Sequence, residues 1–273
     1  MTTDAHINVY PDEFIPVFER DGFNLRTTCY QEANIDGKTV NFLTSGTPTA
    51  TASERGGNGL LVASSNSNTQ TACSLVDLNH LREDTAFNWD LSQANQRLVA
   101  AKGAAIALAR KMDQQVVDQL DTATVNTTSA AVASHAMIED AVATLAEANV
   151  QVEDEDNMFA LFSAKARSYL RQIPEFVRAD YVEVKDLNGA IKRMKRVWGL
   201  NFIFYNGLTG SGTSSEQCFI YHRNAIGHAM KGNPEAAAGF DSKQNMYWAR
   251  ATAWAQAKKL QDSGIVMVYH NGA

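Results

Sequence analysis

The strongest periodic pattern in the sequence lies between residues 91 and 120. Apolar residues recur there at steps of three and four, without a proline, which predicts one apolar stripe along a helix. Asp90 is a suitable N-cap, and Gln93 follows three residues later as in a capping box. The predicted stripe comprises Leu91, Ala94, Leu98, Ala101, Ala105, Leu108, Met112, Val116 and Leu120, with Arg97, Lys102, Arg110 and Asp113 off it.

A helix over 91–120 would be on the order of 45 Å long at 1.5 Å per residue. Its stripe is narrow and rich in small residues, whereas a coiled coil needs larger residues sustained over several heptads. The pattern therefore favours packing of this helix on a β-sheet. The positions expected to pack it are Leu91, Leu98, Leu108 and Met112.

Shorter helices are predicted in the second half of the chain. One covers about 135–148 with Ser134 as its N-cap, another begins after Ser163 and ends before Pro174, and a third covers Arg223–Met230. The run Met246–Lys259 alternates alanine with larger residues, which favours a strand, although its alanine content would also suit a helix. The other predicted strands are Leu25–Ile35, Lys38–Leu43, Cys73–Arg82, Met158–Phe162, Val197–Tyr205, Cys218–Tyr221 and Ile265–Tyr269.

Turn signals connect several of these strands. Asp36-Gly37 predicts a hairpin between the first two strands, and Asn188-Gly189 predicts another. Gly207–Ser215 is predicted as a loop of Gly, Ser and Thr. Residues 1–24, which carry Pro11 and Pro16, are predicted to be an irregular arm.

The segment Thr44–Ala72 consists mainly of Thr, Ser, Gly, Asn and Ala. Such a composition cannot bury enough apolar area to offset the entropy of ordering the chain. Loops of this length are uncommon inside a domain and are usually functional or mobile. The segment is either a linker between two domains or a two-stranded flap that orders against a neighbouring subunit. In the second case Leu60, Leu61 and Val62 are its apolar contact residues.

Charge and cysteine content exclude several classes of protein. The 273 residues carry a formal net charge of -6, whereas proteins that grip nucleic acid usually have a basic excess. The three cysteines, Cys29, Cys73 and Cys218, lie far apart without a CxxC, which argues against a disulfide framework or a cysteine zinc site. Reduced, buried thiols are expected. No apolar run approaches the roughly 20 residues that span a bilayer.

No catalytic residue, cofactor site or metal site is predicted. The sequence has no HExxH, GxSxG or Walker A motif. The acidic run Glu153–Asp156 is expected to be a solvated loop, because four consecutive carboxylates cannot all face one ion on a regular element. The basic run Lys192–Arg196 is expected to be a solvated hairpin arm.

The order of these elements resembles the major capsid protein of tailed bacteriophages, a fold shared with the herpesvirus capsid floor and with encapsulins. That family has an N-terminal arm, a Gly/Thr/Ser-rich β-flap called the E-loop, a long spine helix, a peripheral β-layer and a central α/β domain. The residues that carry the resemblance are 75–90 leading into the long helix, MFALFSAKARSYL (158–170), RVWGLNFIFYNGL (196–208), CFIYHRNAIGHAM (218–230) and IVMVYHNG (265–272). In the family, the fourth phrase is a strand that runs into a helix.

The resemblance implies an α+β fold with five parts. Residues 1–39 would be the N-terminal arm and first strands, 40–75 the E-loop, and 76–130 the peripheral domain with the spine helix at 91–120. Residues 131–245 would form the central, axial domain. Residues 246–273 would return to the peripheral domain.

The resemblance also implies a function, that of a structural subunit rather than an enzyme. Such a subunit assembles with itself into pentamers and hexamers of an icosahedral head that encloses double-stranded DNA without sequence-specific binding. It belongs to the virion and is assembled in the host cytoplasm, with a portal as a partner. Because this chain begins directly with the arm, the scaffolding protein is expected to be a separate chain, and no membrane is involved.

Three alternatives remain open at the level of sequence. An encapsulin-type shell that houses a cargo enzyme shares the fold. A small α/β enzyme with a mobile lid at 44–72 would need a polar cluster that the sequence does not reveal. Another ring-forming component of the virion is the third.

Mild acidity suits a wall around packed DNA, because such a wall must not adhere to its contents.

Overall fold

The computed structural model describes residues 25–32, 35, 37–45, 68–86, 96–127, 131–173, 182–183 and 195–272. These residues form an α+β fold, as predicted, with two main sheets and one separate strand pair. The helices described are α1 (Gln96–Leu120), α2 (His135–Glu147) and α3 (Ala164–Leu170). The strands are β1 (Tyr30–Glu32), β2 (Thr39–Ser45), β3 (Asn68–Ser74), β4 (Val76–Thr85), β5 (Met158–Phe162), β6 (Val182–Glu183), β7 (Lys195–Val197), β8 (Leu200–Phe204), β9 (Glu216–His222), β10 (Ile226–Asp241), β11 (Met246–Lys259) and β12 (Ile265–His270).

The six-stranded sheet has the order β12-β9-β5-β8-β7-β6 and holds the largest apolar core. Its central strand β5 pairs parallel with β8 and antiparallel with β9. All five side chains of β5 are buried, because both faces of the sheet are covered. The predicted bounds of this strand, Met158–Phe162, are confirmed.

The helices of this region begin at the predicted caps. The hydroxyl of Ser134 accepts a hydrogen bond from the backbone N–H of Met137, and the hydroxyl of Ser163 accepts one from Ala166. Each serine satisfies one N–H that the first turn of a helix leaves without a partner. The predictions of α2 and α3 are therefore confirmed.

The four-stranded sheet has the order β1-β10-β11-β4 and is built around two long antiparallel strands. In β11 the alternation predicted for Met246–Lys259 is confirmed. The alanines of this strand lie on the buried face, at positions 249, 251, 253, 255 and 257. Strands β2 and β3 form a separate antiparallel ladder from Thr39↔Ser74 to Ser45↔Asn68.

The predicted hairpin at Asp36-Gly37 is wrong. Leu25–Thr28 is a 3-10 helix, and β1 pairs parallel with β10 rather than with β2. Strand β2 instead pairs with β3, from which it is separated by the polar segment. The dipeptide signal reports only local turn preference, and pairing between distant segments outweighs it here.

The predicted helix at Arg223–Met230 is also wrong. A 3-10 turn covers Arg223–Ala225 only, and Ile226 begins the strand β10. This strand lies between β1 and β11, so its first residues form ladders on both sides and Ile226–Ala229 are buried. Two neighbouring strands therefore override the local helical pattern of the sequence.

The strand predicted at Val197–Tyr205 is interrupted by a tight hairpin. Val197 pairs with Leu200, and the two residues between them, Trp198 and Gly199, have φ of 52° and 71°. Positive φ at both central residues is the geometry of a type I′ turn. The Trp198 ring packs edge-on against Phe202 at 6.4 Å between centroids, which supports this unusual conformation for a non-glycine residue.

The chain changes sheet at different places from the predicted boundary at residue 245. Strand β10, placed in the predicted axial part, lies in the same sheet as β11. Strand β12, placed in the predicted return to the periphery, pairs with β9 in the six-stranded sheet. The crossings occur at two short 3-10 turns, Arg223–Ala225 and Asp262–Gly264.

Candidate assembly surfaces

The β2–β3 ladder is anchored to the body of the protein at one end only. Val40, Phe42 and Cys73 are buried there in a small cluster with Ala229. The Phe42 ring lies so close to Gly227 that a Cβ at this glycine would come within 2.8 Å of it. Because Gly227 has no side chain, the Phe42 end of the ladder can pack against strand β10 of the four-stranded sheet.

The other end of this ladder is open to solvent. Leu43 is 79% exposed, and residues 68–70 are exposed on the partner strand. The predicted contact residues Leu60, Leu61 and Val62 lie outside the described residues. The two strands that enclose them pair with each other up to Ser45↔Asn68, so both ends of the polar segment leave the body side by side.

Helix α1 packs its buried face on the alanine row of β11. Leu108 and Met112 are 3% and 9% exposed and share a cluster with Ala104, Ala251, Ala253 and Ala255. Alanines allow the helix axis to approach the sheet closely. The prediction that this helix packs on a sheet is confirmed. The side chains of Leu91 and Leu98 lie outside the description.

The predicted burial of two residues of this helix is wrong, one on the predicted stripe and one off it. Ala105 is exposed and its neighbour Ala104 is buried instead, because the helix is rotated slightly relative to the predicted face. Asp113, predicted to lie off the stripe, is 1% exposed. Its carboxyl oxygen Oδ1 accepts a hydrogen bond of 2.7 Å from the backbone N–H of Leu25, so this buried polar group has a partner.

The C-terminal half of the same helix belongs to the other core. Val116, Val117 and Leu120 are fully buried and pack with the six-stranded sheet. Between the two halves, the Gln115 side-chain amide donates to the carbonyl of Ala255 at 3.2 Å. Helix α1 therefore packs against both sheets and connects their two apolar cores.

The face of the four-stranded sheet opposite helix α1 is open. On β11 the residues that alternate with the alanines are large, and Trp254 is 48% exposed. The Arg250 guanidinium lies over the Trp248 ring at 5.5 Å, and Leu81 on β4 is 53% exposed. Two shallow depressions of about 530 and 390 Å³ lie along this face. An exposed aromatic and aliphatic surface of this kind is typical of a contact surface between proteins.

Arg196, the last residue of the basic run, contacts the acidic run, which corrects the expectation of a solvated arm at this residue. Residues 192–194 lie outside the described residues. Arg196 is 7% exposed, and its guanidinium forms ion pairs with Asp156 and with Glu155, the latter at 3.5 Å. Asn201 accepts a further hydrogen bond from the Arg196 Nε at 3.2 Å. The two carboxylates remain more than half exposed. Opposite charge in the two runs was the available signal, but their separation by about forty residues concealed the pairing.

The three cysteine thiols are buried, whereas the described histidines range from buried, at His228 and His270, to exposed, at His80 and His135. Cys29, Cys73 and Cys218 are free and buried, as predicted. Burial raises the pKa of Cys29 and of Cys218 to about 12, so these thiols are protonated and poor nucleophiles at neutral pH. Within the described part of the chain, no group of three or more potential metal ligands occurs, and no helix is long and apolar enough to cross a membrane.

Sequence comparison decides the family. A model of the family described as phage capsid protein matches residues 2–271. The chain belongs to the phage capsid protein family. No match was found among curated proteins.

Solved structures share the fold of this phage capsid protein at low sequence identity. A structure of Mycobacterium phage Che8 is 18% identical, with a TM-score of 0.69 and 98% of each chain covered. The capsid of a native GTA particle is 11% identical, with a TM-score of 0.74 over 98% of this chain and 97% of the other. The mature capsid of bacteriophage PhiM1 is 12% identical, with a TM-score of 0.71 over 99% and 93%.

The phage capsid protein is thus a major structural subunit of a virion shell. Its open features, among the described residues, are a flap anchored at one end and an exposed sheet face with tryptophans.

Proposed function

We propose that this capsid protein assembles with copies of itself into pentamers and hexamers of an icosahedral head that encloses double-stranded DNA. The observation that carries the proposal is the β2–β3 ladder, buried at Val40, Phe42 and Cys73 but open beyond Leu43. The part of the ladder beyond Leu43 is mostly exposed, so it contributes little to the stability of the isolated subunit. It gains apolar contacts when a neighbouring copy lies beneath it.

The contact residues of this flap are Leu60, Leu61 and Val62. They are the one apolar cluster of the segment 44–72 in the sequence. Burial of side chains of this size contributes roughly 1.5–3 kcal/mol each. Repeated at every subunit, such a contact stabilises a closed lattice far more than it stabilises one pair.

The structure also supports a revised division of the chain. We assign the four-stranded sheet and the β2–β3 ladder to the peripheral unit, and the six-stranded sheet with α2, α3 and β12 to the axial unit. Helix α1 is the spine, because Leu108 and Met112 pack in the first unit and Val116 and Leu120 in the second. The E-loop is the segment 40–75, and residues 1–39 form the arm and first strands.

The proposed role is structural rather than enzymatic. The buried, protonated thiols support it, because none of them is placed to react with a substrate from solvent. The proposed partners are a separate scaffolding protein and a portal, with assembly in the host cytoplasm. The net charge of -6 suits a wall that encloses DNA without binding its sequence.

Assembly of the purified protein tests this proposal. Sedimentation velocity and negative-stain microscopy, with and without the scaffolding protein of the same phage, should show capsomers or closed shells. A protein that stays monomeric under both conditions, over a range of salt concentrations and of crowding agents, would contradict it.

A further inference from the structure

The six-stranded sheet carries opposite charges at the two ends of its central strand β5. The residues directly before this strand include four consecutive carboxylates, 153–156, which we call the acidic loop. Helix α3 follows the strand after Ser163, so it lies at the other end, and five residues of strand separate the two ends by roughly 16 Å. The helix and its C-cap contain three cations and no acidic residue. These side chains, Lys165, Arg167 and Arg171, are called the basic surface.

The acidic loop is held in place by neighbouring strands. The side-chain amide of Asn201 donates to the carbonyl oxygens of Glu155 and Met158, at 2.6 and 2.9 Å. Arg196 pairs with Glu155 and Asp156, but one guanidinium cannot neutralise four carboxylates, and both of its partners stay more than half exposed. Within the described part of the chain, no three potential ligands are grouped to hold a metal ion. The loop therefore offers accessible negative charge to a cationic side chain.

The three cations of the basic surface are exposed, and no described carboxylate forms an ion pair with any of them. The Arg167 guanidinium lies over the Phe204 ring, 5.3 Å from its centroid, which places this charge at the end of β8. The carboxylate of Asp121 also belongs to this end of the sheet, where it accepts a hydrogen bond from the Thr209 hydroxyl instead. The basic surface is therefore open to an acidic partner.

The acidic loop of a second copy fits this surface. In a ring built by head-to-tail contacts, each subunit presents one surface to the copy on one side and a different surface to the copy on the other. Surfaces of opposite charge at opposite ends of one sheet meet this requirement, whereas a head-to-head approach would bring like charges together. DNA phosphate fits less well, because the chain has a net charge of -6 and nucleic-acid binding depends on a basic excess.

We propose that the basic surface binds the acidic loop of the adjacent copy, and that this head-to-tail contact orients the subunits within each capsomer. The contact rests on the proposed function, because it requires a closed ring of copies. Exposed ion pairs are individually weak, but a network of several charges contributes more than isolated pairs. Repetition at every interface of the ring adds to this effect, and repulsion between like-charged ends excludes the reversed orientation.

Charge reversal and charge exchange in the full-length protein test the contact. Lys165→Glu with Arg171→Glu reverses two charges of helix α3 and leaves Arg167 in place. Gln151→Lys with Glu153→Lys makes the exposed start of the acidic loop positive. Each pair of substitutions alone should raise the protein concentration needed for capsomers, followed by sedimentation velocity, about tenfold or more, because like charges then meet. Both pairs in one chain should recover most of the loss, because the charges attract again with their signs exchanged.

The matched control is Lys102→Glu with Lys111→Glu, which reverses two exposed charges on helix α1. This variant should form capsomers like the wild type. Thermal melting of every variant shows whether its fold is intact.

A measurement on the wild type remains decisive if a reversed variant fails to fold. Capsomers assembled from equal amounts of unlabelled and heavy-nitrogen protein should be treated with a carbodiimide, which couples a lysine amine directly to a carboxylate. Mass spectrometry should then find cross-links of mixed label between Lys165 and residues 153–156. Mixed label shows that the two residues belong to different copies.

The contact is overturned if both reversed variants assemble like the wild type, or if the exchanged chain assembles no better than they do. Absence of mixed-label cross-links to the acidic loop also overturns it. A reversed helix α3 that assembles normally but loses affinity for double-stranded DNA would assign the basic surface to DNA instead. These outcomes leave the proposed function standing, whereas a wild type that forms no capsomers contradicts that function and the contact with it.

Discussion

The backbone N–H of Leu25 donates a hydrogen bond of 2.7 Å to the carboxylate of Asp113, although 88 residues separate the two. Leu25 is 0% exposed and Asp113 is 1% exposed. A few residues further on, the Thr28 hydroxyl lies 2.6 Å from the hydroxyl of Tyr221 on β9. The 3-10 helix at Leu25–Thr28 is therefore tied by polar contacts both to the spine helix and to the six-stranded sheet.

Removal of the Asp113 carboxylate should destabilise the subunit. In Asp113→Ala the buried N–H of Leu25 loses its acceptor, which costs about 1–3 kcal/mol. The matched control is Asp118→Ala, an exposed aspartate on the same helix. Urea unfolding followed by far-UV circular dichroism measures the difference. Equal midpoints for the two variants would show that the contact with Leu25 does not stabilise the fold.

The alanine row of β11 sets the distance between the spine helix and the sheet. Leu108→Ala should cost about 2–5 kcal/mol, because it leaves a cavity above this row. Ala253→Leu should also destabilise, by overpacking, at a cost of about 1–3 kcal/mol. Lys111→Ala and Ala236→Leu, both at exposed positions, are the controls. If either core variant unfolds at the same temperature as its control, helix α1 does not pack as described.

Stability should fall as the pH is lowered below about 6.5. Burial, with a smaller contribution from Arg26, lowers the pKa of His228 from 6.5 to about 4. Because the unfolded chain then takes up protons before the folded chain does, the free energy of unfolding decreases from pH 6.5 down to about 4 and is flat above 7. For one histidine the loss approaches roughly 3 kcal/mol.

Urea unfolding at several pH values checks this prediction. His228→Gln should remove a large part of the dependence between pH 6.5 and 4. His80→Gln, at an exposed position of β4, should leave it unchanged. A free energy of unfolding that rises toward acid in the wild type would contradict the assignment of His228 as a buried neutral base.

Local sequence patterns correctly predicted those elements that do not depend on pairing with distant segments of the chain. The end of the spine helix at Leu120, the caps Ser134 and Ser163, and the alternation of β11 all depend on contacts within a few residues or on one buried face. The predictions at Asp36-Gly37 and Arg223–Met230 failed because the observed strands pair with segments far away in the chain. The Arg196 contacts to Glu155 and Asp156 and the opposition of Glu216 to His270 depend in the same way on topology, which periodicity does not encode.

The flap allows folding and assembly to be tested separately, because its described ladder ends at Ser45↔Asn68 and residues 46–67 lie beyond that pair. Replacement of residues 46–67 by a Gly-Asn-Gly turn keeps that ladder and changes loop-closure entropy only slowly with length. The shortened subunit should therefore fold and melt cooperatively, with a free energy of unfolding close to that of the wild type. It should not form closed shells, because it lacks Leu60, Leu61 and Val62.

A second variant tests which residues of the flap are needed for shell assembly. Replacement of Leu60, Leu61 and Val62 by serine keeps the length of the segment and removes only its apolar side chains, and we expect the same loss of shells. Serine substitutions at Thr47, Thr49 and Thr51 are the control and should leave shells intact.

Trypsin should cut free wild-type subunits near Arg55 and cut assembled shells there much more slowly. Normal particles from the shortened protein would show that the segment is only a linker, and failure of that protein to fold would show that residues 46–67 belong to the core.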